Sequence, residues 1–163
     1  MRIELDTKNK TVRISMVGIT AALYVALGYI FQPINYLGLQ FRVAELIVGM
    51  CIIFPYAGLI GNVLGVFFVN LTSPLGILDW VIGPIGNIPA LMCIVLLRNK
   101  KYLKYLGGIL YASIISLYVS AILWYILNIP FFISYIQVFI SEIILAEVGI
   151  FLFDGIKMRL EKV

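Results

Sequence analysis

Arg42 is the one base in this chain that ordinary charge placement does not explain, and Glu45 follows it by about one helical turn. The other Lys and Arg residues fall into three groups. Arg2, Lys8, Lys10 and Arg13 precede the first apolar run; Arg98, Lys100, Lys101 and Lys104 mark the middle; Lys157, Arg159 and Lys162 close the chain. Set into otherwise apolar sequence are Asn70, Asp79, Asn87, Gln137 and Glu142, with Gln40 just ahead of Arg42 and Trp80 next to Asp79. Carboxylates, amides and a guanidinium supply both acceptors and donors, and the faces of Phe41 and Trp80 can stack on a flat ring. That mixture suits a planar, hydrogen-bonding solute better than a lipid or a bare ion. It does not suit bond-making chemistry. His is absent, Cys51 and Cys93 lie far from any C-x-x-C spacing, and there is no nucleophile–base pair or G-x-x-x-x-G-K-[ST] run. The expectation is a protein that is not an enzyme, with no metal or cofactor, for which any nucleotide-driven work would fall to other chains.

The elements that position these residues follow from composition. Apolar residues make up 63% of the 163 and charged residues 12%, with a mean hydropathy of +1.07. This leaves too little polar surface to coat a soluble globule, so the chain reads as a single all-α, polytopic domain of the cell membrane. The net charge of +4 comes from the basic groups between apolar runs and is a topology signal, not one for nucleic-acid binding. Candidate spans cover approximately 14–32, 41–54, 56–71, 76–97, 105–127 and 131–153. The stretch 41–71 can be one kinked helix or two short ones, and length does not choose between them. Charge does: six crossings put all three basic groups and both termini on the cytoplasmic side, whereas five would send two groups outward. Arg42 and Glu45 then sit at the outer surface, where a desolvated charge needs a partner or a function.

Within these spans, Gly18, Ala22 and Ala26 recur every fourth residue, a small-residue face fit for close helix packing inside the bundle or against a partner. Asp79, Gly83, Asn87 and Ala90 also share helical spacing, and Pro84 and Pro89 interrupt the same span. A Gly/Pro-interrupted helix with an acid at its outer end points to a binding site; a packing kink with Asp79 solvated is the alternative. Glu142 falls near the middle of the last span, where it must face the interior, in line with Ala146 and Gly149. Glu147 is rotated away from it by about 140° and is expected to point toward a partner or the cytoplasmic interface. Trp124 and Tyr125 suit an interfacial belt.

The run Gln40-Phe41-Arg42-Val43-Ala44-Glu45, then Asn70, then Gly76-Ile77-Leu78-Asp79-Trp80-Val81-Ile82-Gly83, resembles the motifs of the QueT family of substrate-binding (S) components of energy-coupling-factor (ECF) transporters. Ser141-Glu142 stands where that family has a Gly-Glu pair; Ala44, Pro84, Pro89 and Glu147 depart from its pattern. The resemblance implies a six-helix bundle of the S-component type that captures a queuosine precursor, a 7-deazaguanine such as the 7-aminomethyl derivative or queuine. On this reading Arg42 pairs with Glu45 to shape the outer pocket, while Asp79 and Glu142 receive the base edge and the ammonium. It also implies that Gly18, Ala22 and Ala26 dock a shared transmembrane coupling subunit, with two ATPase subunits supplying energy. An S component for another heterocyclic solute and a stand-alone secondary carrier remain the alternatives.

Overall fold

The computed structural model describes residues 9–35 and 41–162, and the described chain is helical from end to end. Helix α1 spans Lys10–Ile30, capped by the Asn9 side chain, which accepts from the Thr11 amide at 3.0 Å. A single turn, α2, covers Gln32–Asn35. The 3-10 helix Val43–Gly49 runs directly into α3, Met50–Ile53. Pro55, whose missing N–H costs nothing in a first turn, opens α4 at Pro55–Asn70. Then follow α5, Ile77–Leu97, α6, Leu103–Leu127, and α7, Phe131–Leu160. Helices α1, α5, α6 and α7 are long and apolar enough to cross a membrane, and Val43–Ile53 and Pro55–Asn70 are shorter apolar helices.

Close approaches between small residues set the arrangement. Thr20 packs on Gly61, Tyr24 on Gly65 and Gly28 on Val69, so α1 and α4 run parallel. A β-carbon on Gly61 would come within 2.5 Å of the Thr20 Cβ, and one on Gly65 within 2.6 Å of the Tyr24 Cβ. Only glycine admits this contact. Parallel α1 and α4 require a return path, which the 3-10 helix and α3 provide. They descend beside α7, where Leu46 and Gly49 meet Gly149, before the chain reverses at Phe54. Helices α5 and α6 are antiparallel, with Gly86 under the Tyr118 ring and Gly107 against Ile94. The long helices turn Ile77, Ile85, Leu96, Leu117, Phe132 and Phe151 outward, the surface expected of a bundle whose solvent is lipid.

The same pairings sort the charges. Arg13 stacks on Tyr56 at 3.9 Å from the ring centre. Tyr56 and Arg98 line one cleft, and Arg98, Lys104 and Lys157 line another. Described members of all three basic groups therefore gather at one end of the bundle, while Arg42 and Asp79 lie at the other.

Three expectations change. Helix α1 begins four residues earlier than the apolar count allows, because Asn9 caps a polar first turn. Helix α7 continues past 153 to Leu160, held there by an ion pair from Lys104 to Asp154. Helix α5, by contrast, keeps nearly the expected span, Ile77–Leu97, with Pro84 and Pro89 inside it. Gly18, Ala22 and Ala26 are all exposed, and a β-carbon on Gly18 would meet nothing within 4 Å. The packed face of α1 is instead Thr20, Tyr24 and Gly28, which removes the internal-packing reading of that stripe.

Candidate binding site

Arg42 sits just before the 3-10 helix with φ −86° and ψ 87°. From there its guanidinium lies 3.6 Å from Asp79 Oδ2 on α5. Both side chains are buried. Asp79, which the expected Arg42–Glu45 pairing would leave to a ligand, thus has the guanidinium beside it, and the same guanidinium also acts electrostatically on Glu45. At this distance the contact is ionic, and Asp79 Oδ2 has no hydrogen-bond donor on it.

Glu45 is held by two phenols. The Tyr24 hydroxyl of α1 donates to Oε1 at 2.5 Å, and the Tyr111 hydroxyl of α6 donates to Oε2. One carboxylate thus joins α1, the 3-10 helix and α6 deep in the bundle, within electrostatic range of Arg42. Both tyrosines are essentially inaccessible. Sequence reasoning missed them because Tyr in an apolar run reads as core or interface; the only signal was three polar-tipped side chains in separate spans that must find one another.

The stripe on α5 faces inward along its length: Asp79, Gly83, Asn87 and Ala90 are all buried, which removes the reading of Asp79 as a solvated surface acid. Asn70, the last residue of α4, donates its side-chain amide to the Asp79 carbonyl at 2.9 Å. The amide occupies the notch left by Gly83, where any β-carbon would strike it. The Tyr118 hydroxyl of α6 donates to the Gly83 carbonyl at 3.4 Å, so side chains from both neighbouring helices bond to backbone carbonyls of α5. Tyr118 also lies within electrostatic range of Arg42, Glu45, Glu142 and Asp79, the second omission of the sequence reading. The side-chain oxygens of Asn70 and Asn87 and the indole N–H of half-buried Trp80 are buried without a partner.

Glu142 reaches this interior from α7. It is 1% exposed, its Oε2 has no hydrogen-bond partner, and it lies within electrostatic range of Glu45 and Arg42. Ala146 and Gly149 share its buried face. Gln137 is half-buried one turn before Ser141, whose hydroxyl donates to its carbonyl at 3.1 Å. Gln40 lies outside the described residues. Glu147 is separate: its carboxylate rests over Gly108 on α6, with Oε1 buried and unpartnered. It is half-buried, and Gly108 sits one turn from Lys104 toward the basic end of the bundle.

The cluster therefore sets three buried acids, Glu45, Asp79 and Glu142, against the guanidinium of Arg42. Buried acceptors without donors are costly, so oxygens on Asp79, Asn87 and Glu142 mark places where a ligand's N–H groups would lower the free energy.

A family model described as QueT transporter matches residues 14–158, from α1 to near the end of α7, taking in every element that contributes to this cluster. The chain belongs to the QueT transporter family. No curated protein and no solved structure matches it. With four helices long and apolar enough to cross a bilayer, it is a multi-pass membrane protein of a transporter family.

Proposed function

We propose that this chain is the substrate-binding component of an ECF-type ABC transporter in the cell membrane, capturing a queuosine precursor at its outer face. The observation that carries this is the set of donor-poor buried acceptors, Asp79 Oδ2, Asn87 Oδ1 and Glu142 Oε2. They favour a ligand rich in N–H groups, and a 7-deazaguanine carries several along one edge. A protonated aminomethyl group would also offset the excess of acid over base. Asp79 and Glu142 receive the base edge and the ammonium, Arg42 positions Asp79, Asn70 and Asn87 complete the polar wall, and Trp80 supplies an apolar face. Gln137 belongs to the same proposed wall. Glu45, with both oxygens occupied by phenols, acts as a brace behind it.

The six-crossing topology is part of the proposal. Parallel α1 and α4 support a return through the short Val43–Ile53 segment, and the gathering of basic residues at one end supports cytoplasmic termini. The exposed Gly18, Ala22 and Ala26 stripe supports docking of a coupling subunit, which two ATPase subunits would drive. Calorimetric titration of the purified protein with 7-aminomethyl-7-deazaguanine, queuine and guanine, with riboflavin as control, tests the solute. Saturable binding of a deazaguanine over guanine is expected. Binding of none of them would reject the queuosine-precursor assignment.

A further inference from the structure

Two clefts at the basic end of the bundle share one side chain. The first, about 400 Å³, lies between the start of α4 and the end of α5 and is lined by Pro55, Tyr56, Leu59, Ile60 and Val95, with Arg98 as its charged member. It is a slot of apolar side chains flanked by the outward-facing Leu64, Met92 and Leu96, which places it on the surface that meets lipid. The second, about 330 Å³, also contains Arg98 and adds Lys100, Lys101, Lys104 and Lys157. Its acids are Asp154 and Glu161. Asp154 is engaged by Lys104, so the basin keeps a clear excess of positive charge. Arg98 is fixed where the two meet, because its Nη1 donates to the Val95 carbonyl at 2.6 Å. That bond uses one of the five donors a guanidinium carries.

An apolar slot and a cationic basin that share Arg98 together have the form of an anionic amphiphile. We propose that this pair of clefts binds one anionic phospholipid, with an acyl chain along Leu59, Ile60 and Val95, the phosphate on Arg98 and the headgroup over Lys100 and Lys101. A zwitterionic lipid would bring its own cation into an already positive basin, and a free phosphate would use the basin while leaving the slot empty. Basic pockets beside membrane helices favour anionic headgroups for the same electrostatic reason. The proposal rests on the membrane character of the chain and is independent of which solute it carries.

The test is native mass spectrometry of the full chain released from bilayer discs holding equal phosphatidylglycerol and phosphatidylcholine. Phosphatidylglycerol adducts should exceed phosphatidylcholine adducts by at least about fivefold, the ratio that the contribution of a single surface cation, about 1 kcal/mol, implies. Excess inorganic phosphate should not displace them. Arg98→Gln removes the shared cation, and Leu59→Trp fills the slot while leaving the basin charge intact; each should reduce the adduct by a similar factor. Equal retention of the two lipids, an undiminished adduct in either variant, or displacement by inorganic phosphate would overturn the site. The lipid comparison and the phosphate competition use the unaltered chain, so they decide the matter even if a variant fails to fold.

Discussion

The guanidinium of Arg42 and the carboxylate of Asp79, 37 residues apart in sequence, lie 3.6 Å from each other with both side chains buried. This contact ties the entry of the 3-10 helix to the first turn of α5 and leaves Asp79 Oδ2 without a hydrogen-bond donor. The acid is thus electrostatically compensated yet still able to accept from a ligand.

Breaking this pair from one side should be worse than removing it altogether. A buried charge that loses its partner costs about 3–5 kcal/mol, whereas a neutral pair avoids that penalty. Arg42→Gln should therefore lower the unfolding midpoint of the purified protein more than Arg42→Gln combined with Asp79→Asn. Additive losses in differential scanning fluorimetry would show that the two do not interact energetically.

Glu142 should separate binding from stability. Its Oε2 is buried without a donor, so Glu142→Gln relieves a desolvation cost of the empty protein while weakening the solute contact. The expected result is a loss of affinity of tenfold or more, about 1.4 kcal/mol, at an unchanged or raised midpoint. Unchanged affinity in the same calorimetric titration would remove Glu142 from the pocket.

Tyr24 and Tyr111 should behave as a brace. Hydrogen bonds to a charged group contribute about 1.5–3 kcal/mol, so Tyr24→Phe and Tyr111→Phe should each destabilise the protein. In a Glu45→Gln background both effects should shrink, because the charge they serve is gone. A double-mutant cycle on unfolding free energy measures the coupling; zero coupling would contradict the geometry.

Two faces of α1 should respond oppositely to added bulk. Gly65→Ala drives a methyl group into Tyr24, an overpacking that costs about 1–3 kcal/mol, and should lower the midpoint. Ala22→Leu adds bulk to an exposed position and should leave both the midpoint and solute binding intact while abolishing uptake by the full complex. Persistent uptake with Ala22→Leu would show that the stripe is not the coupling face.

The apolar character of the chain and the clustering of its basic groups were legible in the sequence alone. Composition placed it in a bilayer, and three basic groups separated by apolar runs predicted the gathering of Arg13, Arg98, Lys104 and Lys157 at one end, because positive charge near membrane helices is constrained by topology whatever the packing. The inward face of α5 was legible for a related reason: Asp79, Gly83, Asn87 and Ala90 lie on one side of any regular helix, and a carboxylate cannot face lipid. The expected span at 76–97 was also legible, and α5 keeps Pro84 and Pro89 inside it. Partner choice was decided only by tertiary structure. Arg42 meets Asp79 across 37 residues of sequence, and Glu45 meets Tyr24 from α1 and Tyr111 from α6, with glycines at positions 61 and 65 letting α1, which carries Tyr24, close on α4. The outward turn of Gly18, Ala22 and Ala26 has the same origin. Spacing defines a stripe on a helix, but which stripe is buried depends on the shape of the neighbour, and that shape is assembled from residues far away in the chain.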